Sequence, residues 1–191
     1  MRVDRKSLIT VRQNRYSIPV ALVGLRLSAR TGAERVTVFH RGKEVASHER
    51  LFGRHQTRAR LDHYLELLRQ KPGALEGSLA LSQERAAGEF PESLELLWQE
   101  ITKRHGSSEA ARQMVEVLML CRSRDPQEVA RAAATALTAG AIEGRAVEVM
   151  LRGKDPEVIP GKLAGLSPAL TLHDRPPPDL TPYEQLIAVN R

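Results

Sequence analysis

Eight basic side chains carry the clearest chemical signal in this sequence: Arg12, Arg15, Arg26, Arg30, Arg41, Lys43, Arg54 and Lys71. Several alternate with apolar residues in segments that read as strands, Arg54 lies in a basic connector between residues 50 and 60, and Lys71 follows the next helix. Such a pattern is expected to form a stripe that neutralises phosphates without reading bases. Arginine outnumbers lysine here, and its planar fork matches phosphate better than a point charge does. The charge is also unevenly placed. Residues 1–71 hold 16 Lys and Arg against 6 Asp and Glu, and the rest hold 13 against 17, so a net +10 and a net −4 make up the chain's +6. A basic part joined to a mildly acidic part points to one region facing a polyanion and another with a different task.

Other chemistries find little support. Two-metal phosphoryl transfer needs clustered carboxylates on rigid elements. Asp4, Asp62, Asp125, Asp155, Asp174 and Asp179 instead fall at element starts or in linkers, where caps and turns explain them. The six histidines, His40, His48, His55, His63, His105 and His173, show no i,i+4 pair of the kind that holds zinc on a helix, and they read as surface or phosphate-adjacent groups. His40 and His48 are placed to face each other across a predicted hairpin, but two ligands close no site. Cys121 lies on an apolar helical face and reads as core rather than nucleophile; a single cysteine also excludes an internal disulfide. There is no glycine-rich phosphate loop, and Ser7, Ser17 and Ser28 lack the setting of a nucleophile elbow. No catalytic, metal or cofactor site is therefore expected. Aromatics at 4% argue against a platform of stacking rings. No apolar run approaches the roughly 20 residues of a membrane span, and the N-terminus lacks a secretory core, so a cytoplasmic protein is expected.

The elements that position the basic residues read as an α+β chain. Residues 7–50 form five short strands, with turns at Asn14-Arg15, Thr31-Gly32 and Arg41-Gly42. Leu25, Leu27 and Ala29 alternate with Arg26, Ser28 and Arg30. Five strands with tight turns predict a small antiparallel β-barrel over residues 1–60. Asp62 is expected to cap a helix from His63 to Gln70, and residues 61–90 form a connector. Residues 91–153 read as a helical bundle: one helix after Pro91, one capped by Ser107 or Ser108, one started by Asp125-Pro126 and stopped at Gly140, and a short one ending at Gly153. Residues 154–191, with Pro160, Pro168 and Pro176-Pro177-Pro178, are expected to form an extended tail.

Two stretches add a family resemblance. Asn14-Arg15-Tyr16-Ser17-Ile18-Pro19 resembles the NRYSVP stretch that follows the catalytic core in IstA-type transposases of two-gene insertion sequences. His63-Tyr64-Leu65-Glu66-Leu67-Leu68-Arg69-Gln70-Lys71-Pro72-Gly73-Ala74-Leu75 resembles that family's HYLxLLxxKPGAL. The order of strand-rich part, KPGAL element, helical part and tail is also similar, so the likeness spans nearly the whole chain.

The resemblance implies a relative of the phage Mu enzyme, whose full-length members have an RNase H-like core that binds magnesium and cuts and joins DNA ends. They work as oligomers with a helper ATPase, and the small barrel after the core lies against DNA. This sequence carries no counterpart of the core's carboxylates, so the expectation is a C-terminal transposase fragment, not an enzyme by itself, that binds double-stranded DNA nonspecifically. The second expectation is an interaction module that associates with full-length transposase subunits or the helper ATPase and tunes their assembly.

Overall fold

A computed structural model of the chain describes residues 1–153, and the expected proline-containing tail lies outside the described residues. Six strands come first: β1 (Leu8–Val11), β2 (Asn14–Ser17), β3 (Ser28–Thr31), β4 (Arg35–His40), β5 (Lys43–Glu49) and β6 (Thr57–Arg58). Six helices follow: α1 (Leu65–Gln70), α2 (Leu79–Ala86), α3 (Glu92–His105), α4 (Ser107–Leu120), α5 (Pro126–Thr138) and α6 (Gly144–Arg152). The chain is therefore α+β, as its patterning predicts, but the strands do not close into a barrel.

They form two three-stranded sheets, ordered β1-β2-β6 and β3-β4-β5. Between β2 and β3 the chain leaves extended geometry: Pro19 donates no hydrogen bond and a 3-10 turn spans Val20–Leu22. The two sheets pack face to face instead. Ile9, Val11, Tyr16 and Ile18 meet Leu27, Val36, Val38 and Ala46 in one buried cluster. The alternation in β4 works as expected, with Val36 and Val38 buried between more exposed neighbours.

The β1–β2 and β4–β5 hairpins use two-residue loops with positive φ, the geometry that matches the twist of paired strands. In the β4–β5 loop Arg41 has φ 49° and Gly42 φ 81°, and glycine suits its place because it bears no Cβ. The β1–β2 loop is Arg12-Gln13, with φ 47° and 69°, so the turn precedes the expected Asn14-Arg15 by two residues. Asn14 is committed elsewhere, as described below.

The helical part has its own apolar cluster, running from Leu61, Leu65 and Leu68 through Leu94, Leu97 and Ile101 to Met114, Val129, Val147 and Leu151. Buried Ala130, Ala132, Ala133 and Ala136 keep α5 slim where it lies against α3 and α6. Asp125 caps α5 by accepting from the Gln127 N–H at 3.0 Å, with Pro126 next, as the sequence predicts. The start of α6 is fixed by close approach: the Gly144 N–H donates to Gln113 Oε1 at 2.9 Å, and a Cβ on Gly144 would meet the Gln113 carbonyl at 3.1 Å.

Two expected caps are absent from their helices. Gly106, with φ 80°, precedes α4, and neither Ser107 nor Ser108 caps it. Asp62 caps nothing in the Leu61–Tyr64 turn before α1; its carboxylate binds Arg122 Nε at 2.6 Å, and Arg122 also reaches Glu66. Two elements were not expected at all. Strand β6 is two residues long, and α2 presents Gln83 and Glu84 to the strands rather than a regular apolar face.

Candidate nucleic-acid interface

Polar side chains that the sequence leaves unexplained build the site. Asn14, 1% exposed, acts as a clamp. Its Nδ2 donates to the carbonyls of Leu51 at 2.9 Å and Gly53 at 2.7 Å, and its Oδ1 accepts from the Gln56 N–H at 3.1 Å. The hydroxyl of buried Tyr16 accepts from the Leu51 N–H at 2.9 Å. Backbone bonds from His55 to Gln13 and from Arg15 to Gln56 complete the attachment. The segment from Arg50 to Gln56 is thus held at both ends and in the middle, although it has no regular secondary structure.

This held segment and the Arg12-Gln13 turn enclose a cleft of about 480 Å³. Arg12, Arg50 and Arg54 line it, with Thr31 on the far side and no carboxylate among the lining residues. Arg50 Nη1 donates to the Gly32 carbonyl at 3.0 Å, while Arg12 and Arg54 form no ion pair among the described residues. Phe52 stands at the rim, 77% exposed, with the Arg50 guanidinium 5.0 Å from its ring centre. Arg12, Gln13 and His55 (φ 59°) all hold left-handed backbone conformations that non-glycine residues rarely adopt. Such outliers survive only where surrounding structure fixes them.

Of the eight expected contacts, the structure brings Arg12 and Arg54 together. Arg15 is exposed nearby but pairs with Asp4 at 3.2 Å. Arg30 is exposed on β3, its guanidinium 5.7 Å from the Phe39 ring centre, and Arg26, exposed four residues earlier, lies before that strand in an isolated bridge with Arg2. Arg41 and Lys43 sit at the β4–β5 turn, five strand steps from the Arg35 and Glu49 end, or roughly 17 Å away. Lys71 ends α1 in the helical part. A single stripe on one outer face does not form. Arg50 and Phe52 were missed. The sequence signal for them is an aromatic set between Arg50 and Arg54 in a chain with only three phenylalanines.

The histidines depart from expectation as well. His40 pairs with Lys43 and His48 with Val36, so they do not face each other. His48 and His63 are not surface groups; they are 2% and 3% exposed. They converge on Ser17, which is fully buried. His48 Nε2 lies 2.7 Å from the Ser17 carbonyl, so that nitrogen carries the proton and Nδ1 is left bare and unpaired. Ser17 Oγ accepts from the Arg60 N–H at 2.9 Å, and its own proton is available to His63 Nδ1 at 2.7 Å. Burial pushes both imidazoles down to about 4; His48 is lowered further by Arg60, Arg58 and Arg35, and His63 by His48 and Arg60. Both are neutral at pH 7, and the group joins the sheets to the helical part. Gln83 reinforces the joint, accepting from the Ala59 N–H at 2.8 Å and donating to the Thr57 carbonyl at 2.7 Å.

Within the NRYSIP stretch, then, only Arg15 is exposed and Pro19 half-buried. Asn14 and Tyr16 hold the basic loop, Ser17 ties the strands to the helical part, and Ile18 packs in the strand core. Cys121 is half-buried, and burial pushes its thiol up to about 11, which makes it a poor nucleophile. Among the described residues no group of three or more His, Cys, Asp or Glu side chains is placed to hold a metal ion, so these residues do not fit the magnesium site of a transposase core. No helix among them is long and apolar enough to cross a membrane.

Residues 1–60 match the family described as Mu transposase, C-terminal domain. The chain is 29% identical to a transposase of Aminobacter aminovorans over 97% of its length. It is 30% identical, over the same share, to the transposase for insertion sequences IS1326/IS1353 of Pseudomonas aeruginosa and of Shigella flexneri. The chain spans 36% of the length of each of these curated relatives. No solved structure matches it.

Proposed function

We propose that this chain is the DNA-handling C-terminal region of a transposase, taking part in DNA transposition and holding duplex DNA nonspecifically through phosphate contacts. The observation that carries this reading is the cleft of Arg12, Arg50 and Arg54, which gathers three guanidinium groups from a held segment and the adjoining β1–β2 turn, with no carboxylate among its lining residues. Guanidinium groups held in place lose little freedom on meeting phosphate, so they bind better than the same groups on a mobile loop. Arg15, Arg26, Arg30, Arg41, Lys43 and Lys71 extend the positive field and add outlying contacts as the duplex curves past. The similarity to transposases supplies the biological setting. The chain handles DNA on this reading, and the strand-transfer chemistry is supplied by carboxylates outside the residues described.

Fluorescence anisotropy of generic duplex DNA, titrated across salt concentrations, tests the proposal. Engagement of four to six phosphates gives a log–log salt slope of roughly −4 to −5. Changing Arg12, Arg50 and Arg54 together to alanine should flatten that slope by about three. Absence of binding at low salt would sink the reading and favour contact with other transposase subunits or a helper ATPase.

A further inference from the structure

We propose that Phe52 is an aromatic wedge that stacks on a base where the DNA stack is interrupted, so that the chain prefers bulged, kinked or gapped duplex over intact duplex. This rests on the phosphate-binding reading above and assigns the cleft a second, structure-selective contact.

Three observations carry it. Phe52 is the most exposed of the large apolar side chains among the described residues, at 77%, so it contributes almost nothing to the core. Its backbone is nevertheless fixed, because Asn14 binds the carbonyls on both sides of it, those of Leu51 and Gly53. A ring kept in water on an anchored loop is presented rather than left over. The Arg50 guanidinium lies against the ring at 5.0 Å, which steadies one face and leaves the rest of the ring open. Arg12 and Arg54 border the same cleft and lack ion-pair partners among the described residues, so phosphates on either side of an inserted ring would find cations in place.

Complementarity of charge and shape singles out a polyanion whose apolar faces become accessible where the stack is broken. An intact duplex offers Phe52 no open base face unless the stacking of a step is first disrupted, whereas a bulge or gap has already lost that stacking. Every base has a π face, so such a contact is tolerant of sequence. One ring is enough for a wedge, which reconciles the site with a chain poor in aromatics.

The test compares the full chain on two labelled 24-base-pair DNAs, one intact and one carrying a three-nucleotide bulge, by anisotropy at fixed salt. The bulge carries 2-aminopurine, so stacking is also read by its fluorescence. The chain should bind the bulged DNA roughly ten-fold more tightly and quench the 2-aminopurine. F52A should lose both the preference and the quenching, while its salt slope, set by the number of phosphates met, stays that of the wild type. F52W should retain both. Because Phe52 is exposed, the variants fold, and circular dichroism checks this. If the wild type binds both DNAs equally, or F52A keeps the preference, the wedge is wrong while phosphate binding stands. If neither DNA is bound, the phosphate reading falls and the wedge with it.

Discussion

The strand and helical regions of this molecule are held together by different means. In the helical region the interior is almost wholly apolar, and contacts such as Leu97 against Ile101 and Met114 follow from a periodic pattern. In the strand region a smaller apolar cluster is supplemented by buried Ser7, Asn14, Ser17 and His48. Apolar packing is tolerant of direction, whereas a buried hydrogen bond fixes both partners. The region whose loops present arginines uses the directional means. On the proposed function this follows, since a loop that is to meet a rigid polymer has to be in the right place.

The sharpest way to break this comparison is to damage each region by its own logic. Leu97→Ala removes a fully buried side chain from the helical core and should cost about 2–5 kcal/mol in urea unfolding. Its intact-duplex affinity, measured where the protein is still folded, should stay within about two-fold because the cleft is untouched.

Asn14→Ala is the counterpart. It strips partners from two carbonyls and one N–H, with an expected cost of about 1–3 kcal/mol. The informative readout is hydrogen exchange: the Gln56 amide should exchange much faster while amides inside α3 and α4 keep their rates. Equal loosening in both regions would show that the clamp is not local.

A smaller, pH-dependent effect sharpens the contrast further. Folding holds His48 and His63 near 4, against 6.5 for a free imidazole, so between those values the unfolded chain binds protons that the folded chain refuses. Stability from this source is complete above pH 6.5 and is lost as pH falls toward 4. The melting temperature should drop across that window, and His63→Gln should reduce the drop. A wild-type melting temperature that stays flat from pH 6.5 to 4 would show that these imidazoles are not shielded as described.

How much of this was legible in the sequence follows the same division. The faces of α3 to α5 and the Arg41-Gly42 hairpin were readable, because helical period, caps and turn glycine are local signals. Strand β6 was not, since two residues cannot alternate. Helix α2 was not, because Gln83 and Glu84 spend its inner side on the backbone of Thr57, Ala59 and Leu61. The barrel expectation counted strands correctly through β5 but could not see pairing: nothing local says that β2 takes β6 as a parallel neighbour some forty residues later. In the site, arginine type pointed to Arg12 and Arg54, whereas the role of Asn14 depends on partners 37 to 42 residues away.

The Ser17 joint bears on what can be inherited or cut as a piece. The stretch that matches the Mu transposase C-terminal family ends at residue 60. The Ser17 hydroxyl, however, is completed by the Arg60 amide and by His63, and Gln83 of α2 bonds the backbone of Thr57 and Ala59 at β6. A chain ending at residue 60 would leave Ser17 without His63 and an open strand edge ready to pair with another copy. The sequence boundary and the mechanical boundary therefore differ by at least one helix. Recombination between relatives that respects the joint has to carry the turn at Leu61–Tyr64 and α2 along with the strands, so the KPGAL element, which lies between these two, travels with them.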